Sequence, residues 1–191
     1  SDGRRLQIAW MSGGKYPGMP FNQQMSFPCE LTLRTTSEGI RLFRQPVKEI
    51  QNIYQKKHSW NNQTLKPQSL ESPRTPPAGG KERGVSAPRD TNLLSGISRT
   101  GDLFDIHAEI ELGNATEFGF TVRGEKIQYD VADRRLFCLG RSAPLEPFHN
   151  RIKLQILVDR TSLEIFGNEG RISMSSCFLP DPENRSVNMY T

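Results

Sequence analysis

Cysteine is scarce. Cys29, Cys138 and Cys177 are the only three in 191 residues, too few and too widely spaced for a disulfide scaffold or a zinc site. At most one pair, Cys138–Cys177, can form, and buried free thiols are the preferred expectation. Long apolar runs are missing too, so no membrane-spanning helix is expected. The N-terminus, Ser1-Asp2-Gly3-Arg4-Arg5, has neither an initiator Met nor an apolar signal core and reads as a cut end. His58, His107 and His149 lie far apart, with no His or carboxylate at ligand spacing, so no metal site is expected. GxSxG, Walker and GxGxxG motifs are absent, and no cofactor is expected. Gly13-Gly14-Lys15 lacks the upstream glycine and following Ser/Thr of a phosphate cradle.

Charge of one usable sign is lacking as well. Residues 1–100 carry 15 basic and 7 acidic side chains, residues 101–191 carry 10 and 14, and the overall +4 is the difference of two unlike zones. The basic residues are scattered, with Arg4-Arg5, Lys56-Lys57 and Arg134-Arg135 as the longest runs and no aromatic platform among them, so no nucleic-acid partner is expected. Hydrophobic content is only 35%, yet Leu, Ile, Phe and Val make up 45 of the 191 residues, enough for a globular core.

What is present divides into three zones. In the first, Leu6, Ile8 and Trp10 alternate with polar neighbours as in a strand, followed by a breaker-rich loop through Gly13-Gly14 and Tyr16-Pro17-Gly18-Met19-Pro20. Met25 to Thr35 reads as a second strand interrupted by Pro28, and Ile40-Arg41-Leu42 as its return across the Ser37-Glu38-Gly39 turn. Pro46 suits a first helical turn, and Val47, Ile50 and Ile53 or Tyr54 recur at helical spacing, giving a short linking helix of two or three turns. The second zone holds Pro67, Pro73, Pro76, Pro77, Pro88 and Gly79-Gly80 and reads as a linker or surface insertion, with Trp60 as an anchor to a neighbouring surface.

The third zone has the strongest pattern. Phe104, Ile106, Ala108, Ile110 and Leu112 alternate with polar residues, and so do Phe118-Phe120-Val122, Ile127-Tyr129-Val131, Ile152-Leu154-Ile156-Val158, Leu163-Ile165 and Ile172-Met174. Leu136 to Leu139 is apolar on both faces. Seven short strands at intervals near ten residues predict an antiparallel β-sandwich, with Phe104, Phe118, Phe120 and Tyr129 inward and His107 outward. Glycosidases use two carboxylates about 5–10 Å apart. Asp159 and Glu164 both sit off the Leu163/Ile165 face and both can point to solvent, but the preferred reading is a turn-forming Asp and a Glu paired across strands with a basic residue.

Several segments, taken in order and spacing, resemble one family. They are Trp10-Met11, Tyr16-Pro17, Met25-Ser26-Phe27-Pro28-Cys29-Glu30-Leu31-Thr32-Leu33, Arg41-Leu42, Gln45-Pro46-Val47-Lys48-Glu49-Ile50 and Val158-Asp159-Arg160-Thr161-Ser162-Leu163-Glu164-Ile165-Phe166-Gly167-Asn168-Glu169-Gly170. The family is glycoside hydrolase family 32, the levanases, inulinases and invertases. Its members place the active site in a five-bladed β-propeller with a C-terminal β-sandwich beside it. The resemblance covers nearly the whole chain outside the proline-rich stretch, but only the final part of the family's sequence. It implies an all-β chain: a partial last propeller blade at 1–45, a linking helix at 46–56, a proline-rich linker or insertion at 57–92 and a β-sandwich at 93–191.

The family's nucleophilic Asp, general-acid Glu and Arg-Asp-Pro motif lie upstream of anything present, and Glu30 belongs to the fifth-blade motif and is not that acid. Cys29 stands where many relatives carry Arg, so the salt bridge made there is not expected. The resemblance therefore implies no catalytic residue in this chain and no turnover by it alone, with fructan or sucrose as substrate of a retaining parent enzyme. Trp10, Tyr16 and Phe21 are the candidate substrate rim, with packing between blades as the alternative. The remaining expected partners are the missing propeller domain or, through unpaired blade edges, a second copy. The blade strands are expected to dock on the sandwich through Val47, Ile50 and Ile53. For the sandwich itself a structural role is preferred over fructan binding, since only Phe137 or Phe148 is left to be exposed. The sequons at Asn62, Asn114 and Asn184 fit an exported protein, and the resemblance implies an extracellular or periplasmic location.

Overall fold

In a computed structural model, residues 2–65, 94 and 101–191 are described. The prolines between Pro67 and Pro88, and the boundary expected at 92–93, lie outside them. Strand β1 (Arg5–Gln7) pairs antiparallel with β2 (Cys29–Thr36), which pairs with β3 (Gly39–Pro46), and these make one three-stranded sheet. The alternating segment of residues 6–10 is thus shorter as a ladder than expected, with Trp10 reaching its neighbour only through an isolated bridge to Met25. Pro28 ends that bridge region, and β2 begins one residue later.

The linking helix differs from its expectation. Pro46 closes β3 opposite Cys29 instead of opening a helix. Val47 stays extended (φ −62°, ψ 142°), and a six-residue 3₁₀ helix follows at Lys48–Ile53 without a side-chain cap. With i to i+3 geometry the apolar stripe does not hold one side: Ile50 is packed, while Ile53 is 71% exposed.

The sandwich forms as expected; beyond the seven strands it holds the one expected to start at Val187 and one more that was not expected. β4 (Phe104–Glu111), β9 (Arg151–Val158), β10 (Ser162–Gly167) and β11 (Ile172–Cys177) make a four-stranded sheet in the order β11-β10-β9-β4. The facing sheet runs β12-β5-β6-β7-β8, from β5 (Glu117–Val122), β6 (Glu125–Asp130), β7 (Arg135–Cys138), β8 (Arg141–Pro144) and β12 (Val187–Tyr190). Register aligns the apolar set: Ile106 faces Ile156 and Ala108 faces Leu154, while Phe118 pairs with Tyr129 and Phe120 with Ile127. Phe118, Phe120, Ile127, Tyr129 and Ile156 are sealed, and each such side chain stabilises the fold by roughly 1.5–3 kcal/mol. The buried Tyr129 hydroxyl donates to Leu145 O at 2.8 Å, so its burial leaves no orphaned donor.

Strand β10 departs from one-face burial, because all six of its residues are buried. Leu163 and Ile165 enter the sandwich core, whereas Phe166 joins Cys29 and Leu157 in a second cluster that Phe27 and Ile50 flank. The first sheet therefore docks on the outside of the sandwich. Its apolar contacts include Phe27, Cys29 and Ile50, beside the Arg44–Glu164 pair; of the expected residues Ile50 packs there and Ile53 stays exposed. The edge of β3 is received by the β10–β11 turn, where the Arg44 amide donates to Gly170 O at 2.9 Å. Gly170 has φ +84°, and a Cβ there would lie 2.2 Å from Arg44 O, so only glycine fits. Cys138 and Cys177 lie on different sheets, and all three thiols are free.

Candidate functional site

The loop that carries the expected rim residues leaves β1 and returns to β2 through residues 8–28. Its ends are zipped: Ser26 N donates to Ala9 O at 2.8 Å, Met11 N to Gln24 O at 3.0 Å, and Ser26 Oγ accepts from Ala9 N at 3.0 Å. Inside the loop Tyr16 folds back over Gly14, whose Cβ, if present, would sit 2.1 Å from the Tyr16 oxygen. The Tyr16 and Phe21 rings meet at 5.3 Å. Trp10 (60%) and Phe21 (40%) are exposed, whereas Tyr16 is buried. Burial, with Cys177 close by, pushes the Tyr16 phenol up to about 12. The structure thus brings the three residues onto one loop, with two side chains offered to solvent and the third spent inside it.

Beneath the loop lies a polar joint with the sandwich. Gln24 meets Thr161, in the β9–β10 turn, at both ends of its amide: Thr161 Oγ1 donates to Gln24 Oε1, and Gln24 Nε2 donates to Thr161 O at 3.2 Å. Glu164 lies further along β10, with its side chain fully buried. It accepts from the Phe27 amide at 2.6 Å and from Ser175 Oγ at 2.8 Å, and pairs with Arg44 Nη2 at 3.4 Å. Glu164 therefore does not point to solvent. It is the cross-strand acid expected, but its arginine comes from the first sheet. Asp159 is the turn residue expected, its carboxylate accepting from the Arg160 amide at 2.7 Å. Glu30 is half-buried beside Arg4 at 3.8 Å.

One cluster was missed in the sequence. His107 is exposed as expected, but a carboxylate does accompany it: Asp105 Oδ1 lies 3.0 Å from His107 Nε2. The Asp105 carboxylate, only 7% exposed, also accepts from Gln155 Nε2 at 3.0 Å and from the Tyr54 hydroxyl. Burial opposes ionisation of Asp105, yet His107 and Tyr54 outweigh it and hold the carboxyl below its usual range, while Asp105 raises His107. The i, i+2 spacing of Asp105 and His107 on one strand face is the only signal that pointed to the pair. It ties the segment after the 3₁₀ helix to the outer face of β4.

Apolar surface is concentrated on the first sheet. Leu33 and Leu42 are directly paired, and Ile40 lies two residues along on the same face, all more than half exposed. On the sandwich, Phe148 is 72% exposed and Phe137 36%. No group of three or more His, Cys, Asp and Glu placed to hold a metal occurs among the described residues. No helix among them is long and apolar enough to cross a membrane.

Residues 49–191, about three quarters of the chain, match the family model described as Glycosyl hydrolases family 32 C terminal. The chain is 34% identical to a levanase of Bacillus subtilis (strain 168), covering 100% of this chain and 29% of that protein. It is 35% identical to a levanase of Bacillus sp. (strain L7), covering 100% of this chain and 21% of that protein. The chain thus spans less than a third of the length of these relatives. In structure it is similar to an exo-inulinase from Aspergillus awamori, with a TM-score of 0.72, 19% identity, and coverage of 97% of this chain and 37% of that one. At that identity the likeness is one of fold.

Proposed function

The chain belongs to glycosyl hydrolase family 32, and we propose that it is the C-terminal portion of a retaining β-fructosidase acting on fructose polymers or sucrose. The observation that carries this reading is Glu164. It joins the two stretches that resemble the family, 25–33 and 158–170, through one buried carboxylate. The levanases matched along the whole of this chain support the substrate class. Relatives described as extracellular exo-inulinases support work outside the cell.

In this reading residues 1–45 complete the last blade of a propeller. The exposed Leu33, Leu42 and Ile40 face the adjoining part of that domain, or a second copy when the chain is alone. Trp10 and Phe21 form part of the sugar rim, and Tyr16 holds the loop in shape. A retaining mechanism needs one carboxylic acid to protonate the leaving oxygen and a carboxylate about 5–5.5 Å away to trap the oxocarbenium-like sugar. Glu164 is sealed and Asp105 is occupied by His107, Tyr54 and Gln155, so neither suits these roles. The chain alone is therefore inactive, and its sandwich supports the propeller. The other reading, a fructan-binding sandwich, has Phe137 and Phe148 as its exposed aromatics.

The test is the intact polypeptide encoded with its upstream sequence. It should release fructose from levan, inulin or sucrose, and Trp10→Ala should raise KM. Release from none of the three would overturn the reading.

A further inference from the structure

The contact between Gln24 and Thr161 has the form of a joint. A single hydrogen bond fixes a distance, whereas two antiparallel bonds on one amide also fix its orientation. Gln24 supplies both, through Oε1 and Nε2, and its own carbonyl closes the loop by accepting from Met11 N at 3.0 Å. Trp10 is the residue next to Met11 and is bridged to Met25, the residue next to Gln24. On the other side Thr161 is only 3% exposed, and its carbonyl also receives the Phe178 amide at 3.0 Å. Around Thr161 the turn is closed by the Asp159 amide, which donates to Ser162 O at 2.9 Å. The sandwich half of the joint is thus held by the β9–β10 turn itself and by the start of the β11–β12 connection. On the loop half, Gln24 Nε2 also reaches Met11 Sδ at 3.4 Å, while the tip beyond Met11 is held by the Met19–Tyr16 backbone bond and the Tyr16–Phe21 ring contact.

We propose that Thr161 is a positioning residue: through Gln24 the sandwich sets where Trp10 and Phe21 stand, and so takes part in substrate affinity without touching sugar. This rests on the rim reading of Trp10 and Phe21 given above. A hydroxyl at residue 161 is the required group. Valine keeps the shape but leaves Gln24 Oε1 without its donor in a half-buried place, whereas serine keeps the donor.

The experiment compares Thr161→Val, Thr161→Ser, Trp10→Ala and the Trp10→Ala/Thr161→Val double variant in the intact polypeptide, with KM and kcat measured on levan and sucrose. Thr161→Val should raise KM for levan about fivefold with kcat unchanged, as the loss of one buried hydrogen bond implies. Thr161→Ser should restore it, and the double variant should raise KM by less than the product of the two single effects, because part of the Thr161 effect runs through Trp10. A wild-type KM for Thr161→Val beside a raised KM for Trp10→Ala would overturn the joint and spare the rim. If Trp10→Ala leaves KM unchanged, the rim reading fails instead. Hydrogen exchange at the Met11 amide of the 191-residue chain then decides the joint, where faster exchange in Thr161→Val supports it and equal exchange overturns it. A fall in kcat and KM effects alike that serine does not rescue would reduce Thr161 to a structural role.

Discussion

Glu164 accepts a 2.6 Å hydrogen bond from the backbone amide of Phe27, a residue 137 positions earlier in the chain. Its second oxygen faces Ser175 and Arg44, and no part of the carboxylate reaches solvent. Removing one member of a buried ion pair leaves the other uncompensated. Glu164→Ala should therefore cost about 3 kcal/mol in equilibrium urea unfolding. Glu164→Gln, which still offers Phe27 an acceptor, should cost less. Equal stability of Glu164→Ala and wild type would show that the two sheets do not depend on this contact.

Gly170 tests the same interface from the backbone side. Gly170→Ala brings a Cβ to 2.2 Å from Arg44 O at a φ of +84°. The strain alone is worth about 1–3 kcal/mol, and the β3 edge should also lift from the β10–β11 turn. Loss of stability together with faster exchange of the Arg44 amide is the expected result. A stable variant with that amide still protected would refute it.

Thiol accessibility should follow burial. Burial pushes Cys29 up to about 11 and Cys138 up to about 12, and both are sealed, whereas Cys177 is half-buried. A chromogenic disulfide reagent should titrate one thiol quickly in the native chain and all three in denaturant. Cys177→Ser should abolish the fast phase, and a fast phase that survives would contradict the packing around Cys29 or Cys138.

The Asp105–His107 pair predicts a signed pH dependence. His107 is raised above its ordinary 6.5, so its contribution is complete below that value and is lost as pH rises through the folded value. Asp105 is lowered from 3.8, so its contribution is present above 3.8 and is lost as pH falls through the folded value. Both act between 3.8 and 6.5, with Lys57 opposing the charge on His107. His107→Gln should destabilise the chain more at pH 5 than at pH 8.5, as urea unfolding would measure. An equal loss at both would deny the ion pair a role.

The sandwich was legible because one-sided burial writes a period of two into Phe104 to Ile110 and Ile152 to Val158. Strand β8 was not, since Arg141-Ser142-Ala143-Pro144 presents no apolar alternation. The burial of Glu164 and Leu157 was not legible for a different reason. Their outward faces are covered by residues 27–46, and no local pattern records a partner more than a hundred residues away. The same limit applies to the rim. Aromatic residues in the loop were visible, but the turn that buries Tyr16 over Gly14 while leaving Trp10 exposed follows no period. Helical spacing at Val47, Ile50 and Ile53 misled because Pro46 still belongs to β3 and leaves room for six residues of 3₁₀ helix only.

Fructose release from levan, inulin and sucrose, measured side by side for the 191-residue chain and for the intact polypeptide that contains it, tests the central claim most directly. Release by the intact polypeptide and none by the chain alone is the expected result. Fructose released by the chain alone would contradict it.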